Sequence, residues 1–493
     1  MATNILDRLI GAIAPRTGLR RMRDRALLER AYEGASLKDG WKPRRAGASA
    51  NSDHRVDATI LRARARSLVQ NTPYISRGLT SLTSNVIGTG ITPRSMAKDE
   101  TARTRISTLY AQWVRVADAD GRQNFYGLQA TAYRAMKQDG EVLIRLRPRM
   151  AQDGLPIPLQ LQILEIDWLD SYRNGSEGSN TVINGIEYDP IGRVVAYWLF
   201  EQHPGEVNVL ARTGNISKRI PAESIIHLYK TERPGQGRGI TSLASVIARV
   251  RDLANYEDAE LARKNLETRL SVIASGDVSM LDNGPPNGTG PNPDNARITG
   301  SLGELPSGGI TQVDPGIGLT VVEPKAAPGY VEYVKYALHL IAAGFGPTYE
   351  MMTGDVSETN FSSARVRLLD FRRECEQEQW LTFIPQFLER VWVALIDAAT
   401  LAGKIKTADY TVDWSTPKWD YVNPEQDVKA DMAEISAGLS SISEKLRRRG
   451  YDPELVFSEI KSDFDRLGSD GTLDILAFLQ RGQRMSESVM PPA

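Results

Sequence analysis

From Arg55 to Val86, apolar residues return at helical spacing, first as Ile60, Leu61, Ala65, Leu68 and Val69, then past Asn71-Thr72-Pro73 as Ile75, Leu79, Leu82 and Val86. The break predicts two helices joined at Pro73, the second stopped by Gly88-Thr89-Gly90. Two further helices are expected from about Asp99 to Val116 and from Gly127 to Gln138. The period then falls to two. Val142, Ile144 and Leu146 face one way, as do Leu159, Leu161 and Ile163, and more strands follow at Gly185–Tyr188, Val194–Phe200 and Ser224–Tyr229. The turn Asp189-Pro190-Ile191-Gly192 separates the first two of these, so this stretch reads as an α+β region with one mainly antiparallel sheet.

Beyond Gly239 the helical period returns and dominates, which makes the chain α+β but mainly helical. Leu243, Val246, Ile247, Val250, Leu253 and Ala254 trace a stripe that can run on to Leu270, a helix about 45 Å long. Its far face mixes signs: Arg249, Arg251, Asp252, Glu257, Asp258, Glu260, Arg263 and Lys264. Such a face suits solvent or a second copy of the same helix. Asn283 to Gly309 holds twelve Gly or Pro among 27 residues and reads as a loop-rich insert, with extended pieces at Gly309–Val313 and Gly318–Val322. A helix at about Tyr330–Ala343, a turn region at Gly344–Asn360, and a long amphipathic helix from Ser362 to Ala402, kinked by Pro385, follow. The tail offers helices at Asn423–Gly438, Ser441–Arg449, Pro453–Leu467 and Thr472–Gln480.

Composition narrows the function classes. With 493 residues the chain can bury more than one core, and 60 Lys+Arg against 61 Asp+Glu leave no global cationic field to grip phosphate. Charge is still uneven: residues 1–50 hold eleven basic and five acidic side chains, residues 401–493 twelve and sixteen. Residues 1–54 read as a basic, partly mobile arm, with Arg20, Arg21, Arg23 and Arg25 available to phosphate, to an acidic surface or to solvent. One cysteine, Cys375, rules out an internal disulfide and points to a reducing cytoplasm. No stretch reaches the roughly 20 apolar residues of a membrane-spanning helix, and no export signal is read at the start, so no membrane is expected.

Each candidate for chemistry has a plainer reading beside it. Gly235-Gln236-Gly237-Arg238-Gly239 before Thr241-Ser242 can cradle phosphate at a helix start, but the Walker lysine and glycine spacing are missing and a flexible turn is favoured. Glu165 and Asp167, two apart after a strand, face the same side and can bind a divalent ion, yet no third acidic cluster or histidine motif accompanies them, so a solvated or salt-bridged role is expected. His227 and His339 lack triad or metal-motif partners and read as structural. Cys375 between Glu374 and Glu376 should have a raised thiol pKa and make a poor nucleophile. No catalytic residue, metal ligand or cofactor is assigned, which shifts weight to assembly and interaction.

Eight segments, in order, resemble the portal proteins of lambda-like tailed bacteriophages: Asn71-Thr72-Pro73 through Asn85-Val86-Ile87-Gly88-Thr89-Gly90; Asp139-Gly140-Glu141; Leu164-Glu165-Ile166-Asp167; Asn184-Gly185-Ile186-Glu187-Tyr188-Asp189; Ile220-Pro221-Ala222 with Ile226-His227-Leu228; Arg233-Pro234-Gly235-Gln236-Gly237-Arg238-Gly239; Tyr256-Glu257-Asp258-Ala259-Glu260; and Asn360-Phe361-Ser362-Ser363-Ala364-Arg365. The resemblance spans about residues 55 to 450. It implies a homo-oligomeric ring of twelve subunits at one capsid vertex, a channel for double-stranded DNA entering and leaving without sequence specificity. Implied partners are terminase, a head-completion or adaptor protein and the major capsid protein, in the virion and, during assembly, the host cytoplasm.

On that plan residues 55–240 form a wing, 241–275 a stem helix, 276–328 a clip, 329–343 a second stem helix, 344–361 a tunnel loop, 362–422 a kinked helix returning through the wing, and 423–493 a crown and tail. The resemblance places Tyr349, Glu350, Met351, Met352, Thr353, Asp355, Glu358 and Asn360 on a mobile loop facing DNA. Arg249, Arg251, Asp252, Glu257, Glu260, Arg263 and Lys264 fall at the subunit interface, and Pro285, Pro286, Asn287, Pro291 and Asn295 at the partner-docking clip. Two other classes stay open at this level. A metal-dependent DNA-processing enzyme would use Glu165 and Asp167, and a monomeric scaffold or adaptor would lack the ring.

Overall fold

The computed structural model describes residues 47–206, 216–268, 271–275, 318–322, 329–357, 360–417, 419, 424–449, 451 and 453–469. The chain divides into two compact units, Met1–Val56 with Arg233–Gly237, and Asp57–Glu232 with Arg238–Ala493. In the small unit Asn51 hydrogen-bonds both ways across the glycine-rich segment, donating to Gly235 O at 3.2 Å and accepting from Gly237 N–H at 2.8 Å. Arg233 pairs there with Asp53 at 3.0 Å.

In chain order the helices begin with α1 (Ala50–Asn71) and α2 (Pro73–Val86), joined at Thr72-Pro73 as the sequence predicts. After strand β1 (Thr92–Ser95), α3 (Glu100–Trp113) starts on Asp99, whose carboxylate accepts the Thr101 and Ala102 N–H groups. Helix α4 (Phe125–Asp139) starts on Asn124 and ends on Gly140 at φ 94°. Chain reversal there leaves no space: a Cβ on Gly140 would lie 2.4 Å from the Ile240 carbonyl carbon. Strands β2 (Glu141–Pro148), β3 (Leu159–Leu164), β4 (Gly175–Glu177), β5 (Asn180–Ile183), β6 (Ile186–Tyr188), β7 (Val194–Phe200), β8 (Ser217–Pro221) and β9 (Ile225–Tyr229) follow.

Strands β2 to β9 form two sheets where one was expected. A three-stranded sheet runs β3-β2-β9 and a five-stranded sheet β4-β5-β6-β7-β8, all neighbours antiparallel. Strand β2 explains the split, because its alternating side chains serve two cores. Val142 and Ile144 enter the main core with α1 to α4, whereas Leu143 joins Leu164, Ile186, Tyr197, Leu199 and Ile225 in a second core.

Helix α5 (Ile247–Thr268) is shorter than its apolar stripe suggests, 22 residues or about 33 Å. Thr241 to Val246 form turns instead: the Thr241 hydroxyl and the Ser242 N–H bond to Lys137 O, and Leu243 N–H bonds the Thr241 hydroxyl. At the other end the β-branched run Val272-Ile273 enters strand β10 (Ser271–Ser275), which pairs with β11 (Gly318–Val322).

Next come α6 (Tyr330–Phe345), α7 (Tyr349–Thr353) and α8 (Phe361–Glu378). The helical run does not stop at Pro385. It passes through a π-helical segment, Gln379–Leu388, and continues as α9 (Glu389–Leu401), the wider turn accommodating a residue without an N–H. Strand β12 (Val412–Ser415) then pairs with the distant β1. The tail helices α10 (Pro424–Ser436), α11 (Ile442–Arg448) and α12 (Pro453–Ser469) match expectation, while the helix expected at Thr472–Gln480 lies outside the described residues. Among the described residues no helix is long and apolar enough to cross a membrane.

Candidate functional site

Two groups of residues draw attention: a buried charge network around β2, and the turn region between α6 and α8. Glu141 opens β2 with no solvent exposure. Its oxygens accept a fork from Arg238, Nε at 2.8 Å and Nη2 at 2.7 Å, and the Gly239 N–H at 3.0 Å. His227 Nε2 lies 2.9 Å away, and because a carboxylate can only accept, this nitrogen is the donor. Arg62 stands 3.6 Å from the same carboxylate and bonds Asp167 at 2.7 Å.

One turn of α1 further on, Arg66 forks onto Asp139 at 3.0 and 2.5 Å and reaches Asp167 at 2.6 Å and Glu165 at 3.2 Å. Burial works against the Arg66 charge, but the Asp139 hydrogen bond and the surrounding carboxylates push its pKa further up. Burial would likewise raise the Asp167 carboxyl, and the Arg62 and Arg66 charges outweigh it and hold the pKa below the ordinary value of 3.8. The four-residue spacing of Arg62 and Arg66, which puts both on one helix face, is the sequence signal that could have exposed this network.

Glu165 and Asp167 do face one side, as expected, and His203 joins them closely enough for the three to hold an ion. Arg66 lies on both carboxylates and Arg62 on the second, which favours the salt-bridged reading. The glycine-rich segment departs from its expected role as a flexible helix opener. Arg238 is almost wholly buried, a Cβ on Gly239 would sit 2.0 Å from Gly140 O, and α5 starts eight residues later. His227 is a satisfied structural histidine, and His339 stacks on Tyr349 with ring centroids 4.1 Å apart. Burial, with the Glu378 charge next, pushes the Cys375 thiol up to about 12, in line with a poor nucleophile.

The turn region is more ordered than a mobile loop. Thr348 caps α7 by accepting the Met351 N–H, and Gly354 closes it at φ 80°. The Tyr349 hydroxyl bonds Asp355 at 3.0 Å, Glu350 is ion-paired with Arg367, and the Thr353 hydroxyl returns to Tyr349 O. Hydrogen bonds from Ser357, then from Tyr349, hold the Asp355 carboxyl at about 2. Met352 corrects the expectation of an apolar sliding contact: it is buried in the main core at 1% exposure, so its side chain is not offered to a ligand. Met351 is half-buried, Asn360 is exposed, and Glu358 lies outside the described residues.

Of the mixed-charge stripe on α5, Arg249, Arg251, Asp252 and Lys264 are exposed. Glu257 and Arg263 are half-buried, and Glu260 is buried and paired with Arg263 of its own helix, so it is withdrawn from the surface expected of it. Pro285, Pro286, Asn287, Pro291 and Asn295 lie outside the described residues.

The sequence profile described as "Phage portal protein, lambda family" matches residues 35–379. A probable portal protein of Halomonas phage phiHAP-1 is 29% identical over 457 residues, covering 88% of this chain and 86% of its own. Portal protein B of Escherichia phage lambda is 21% identical over 460 residues, covering 82% and 84%. Among solved structures, the neck of a native gene transfer agent particle computed with C12 symmetry aligns at a TM-score of 0.44 and 15% identity, over 81% of this chain and 94% of that one. A HK97-family phage portal protein from Corynebacterium diphtheriae aligns at 0.36 and 12%, over 75% and 97%. The profile match takes in most of the chain, including α1 to α8 and the whole network around Glu141, and on that match the chain belongs to the lambda family of phage portal proteins.

Proposed function

We propose that the chain assembles as a closed ring, twelve copies in number, at one vertex of a phage capsid, and that the ring is a channel for double-stranded DNA during packaging and ejection. The family match over residues 35–379 is the observation that carries this reading. A ring is a closed heterologous assembly in which each copy offers two different faces. The exposed Arg249, Arg251, Asp252 and Lys264 on α5, with α6 beside it, supply material for such faces as the stem. The near-balance of 60 basic and 61 acidic side chains supports a conduit, since each added phosphate contact would deepen a salt-dependent well that DNA must leave.

Within this reading the α+β region is the wing, 276–328 the clip that meets terminase and later a head-completion protein, and 423–493 the crown. The copy-bearing site is the virion, reached after assembly in the host cytoplasm, and the role is structural rather than enzymatic. The segment 344–361 lines the narrowest part of the channel with Glu350, Asp355 and Thr353 rather than with Met352. The test is the pair Glu350→Lys and Asp355→Lys in purified full-length protein. Native mass spectrometry should show rings for wild type and variant, while the variant packages DNA more slowly, with relief by added salt. Packaging at the normal rate removes the segment from the DNA path, and a strictly monomeric wild type across salt and concentration removes the ring.

A further inference from the structure

The outer half of β2 carries an arginine row that the buried network leaves unused. Side chains alternate across a strand, so Glu141, Leu143, Arg145 and Arg147 share one face. Glu141 is taken by the network and Leu143 by the second core. Arg145 and Arg147 lie beyond them, half-buried, opposite Gln162 and Gln160 of β3, with Ile225 of β9 on the other flank of Arg145. Among the described residues neither arginine makes an ion pair or a side-chain hydrogen bond. Arg149 prolongs the row past the strand end, its N–H still bonded to Pro158 O and its guanidinium to Gln160 at 2.8 Å.

This contrasts with Arg62, Arg66 and Arg238, each of which lies on a carboxylate. Burial, with the Arg147 charge second, pushes the Arg145 pKa down. Two like charges held side by side on a rigid central strand repel, and an anion placed between them relieves the repulsion. We propose that Arg145, Arg147 and Arg149 form a row that binds the phosphate backbone of DNA, apart from the channel segment. Guanidinium forks match phosphate oxygens, and a step of about 6.7 Å for every second residue of a strand suits the spacing of successive phosphates on a nucleic-acid strand. An extended acidic peptide fits less well. Strand β3 pairs with β2 along the whole row and β9 pairs with it up to Arg145, so a peptide finds an edge only over the last three residues of the strand and elsewhere only side-chain contacts are on offer. That the polyanion is DNA rests on the portal reading above.

The test is anisotropy of a short labelled DNA duplex with full-length protein, wild type against Arg145→Gln with Arg147→Gln, at 50 and 200 mM salt. Loss of two phosphate contacts should lower the slope of log affinity against log salt by about 1.8, so the advantage of wild type shrinks about twelvefold between the two salts. Arg145→Lys with Arg147→Lys keeps both charges and should retain most of the binding. Equal loss in the lysine and glutamine variants would mark a structural effect and overturn the proposal, as would an unchanged slope. Tighter binding of poly-glutamate than of duplex, abolished by the glutamine pair, would assign the row to an acidic protein and overturn it too. Native mass spectrometry keeps the two readings apart: a monomeric wild type that loses DNA on the glutamine pair sinks the ring and leaves the row standing.

Discussion

Replacing Glu141 by alanine should destabilise the protein by about 3–5 kcal/mol, the range for breaking a buried ion pair by deleting one partner. The structure gives reason to expect the upper part. One carboxylate serves the Arg238 fork at 2.7 and 2.8 Å, the Gly239 N–H at 3.0 Å and His227 at 2.9 Å, with Arg62 at 3.6 Å. Deleting it leaves Arg238, at 1% exposure, without its fork partner in a place where water cannot substitute. A charge pair about 4 Å apart is worth about 4 kcal/mol at an effective dielectric constant of 20, consistent with that range. Arg238→Ala should cost less, because Glu141 then keeps His227, the Gly239 N–H and Arg62. The double variant should lose clearly less than the sum of the singles, since each single removes the same interaction. Urea unfolding followed by the fluorescence of the eight tryptophans measures all three. A Glu141→Ala loss below about 1 kcal/mol, or strictly additive singles, would show that the network is not the closed, dry unit described, because solvated surface pairs give values of that size.

The pH dependence of stability should carry the mark of Asp167. Its folded pKa lies below the ordinary 3.8, so the stabilisation is complete above 3.8 and is lost as pH falls from there through the folded value. Acid unfolding of Asp167→Asn should therefore be flatter below 3.8 than that of wild type, and parallel curves would contradict the Arg62 and Arg66 pairing. Met352→Ala should cost about 2–5 kcal/mol in the same urea assay, as for other buried methionines. A neutral result would return this side chain to the surface and reopen its role as a contact for DNA.

Periodicity was sufficient for the local elements. The break at Pro73, the helix start at Asp99, the alternation Val142-Ile144-Leu146 and the three described tail helices are properties of neighbours in sequence, and each appears where the pattern predicts it. The ordered motifs carried the family as well, because they record many weak local constraints at once. What the sequence left open depended on residues far apart along the chain. The apolar stripe from Leu243 could not reveal that Thr241 and Ser242 just before it bond Lys137 O and that helix begins only at Ile247, nor could Thr92–Ser95 announce a partner some 320 residues away in Val412–Ser415. Met352 sits in a segment whose composition reads as an exposed loop, and only the packing of α7 against α2 turns its side chain into the core. Arg238 and Gly239 look flexible in isolation; Glu141, nearly a hundred residues earlier, is what converts them into a buried clamp. Hydrophobic spacing is set by the helix and strand periods and is legible locally, whereas the pairing of a buried charge is decided by whichever element folding brings to it.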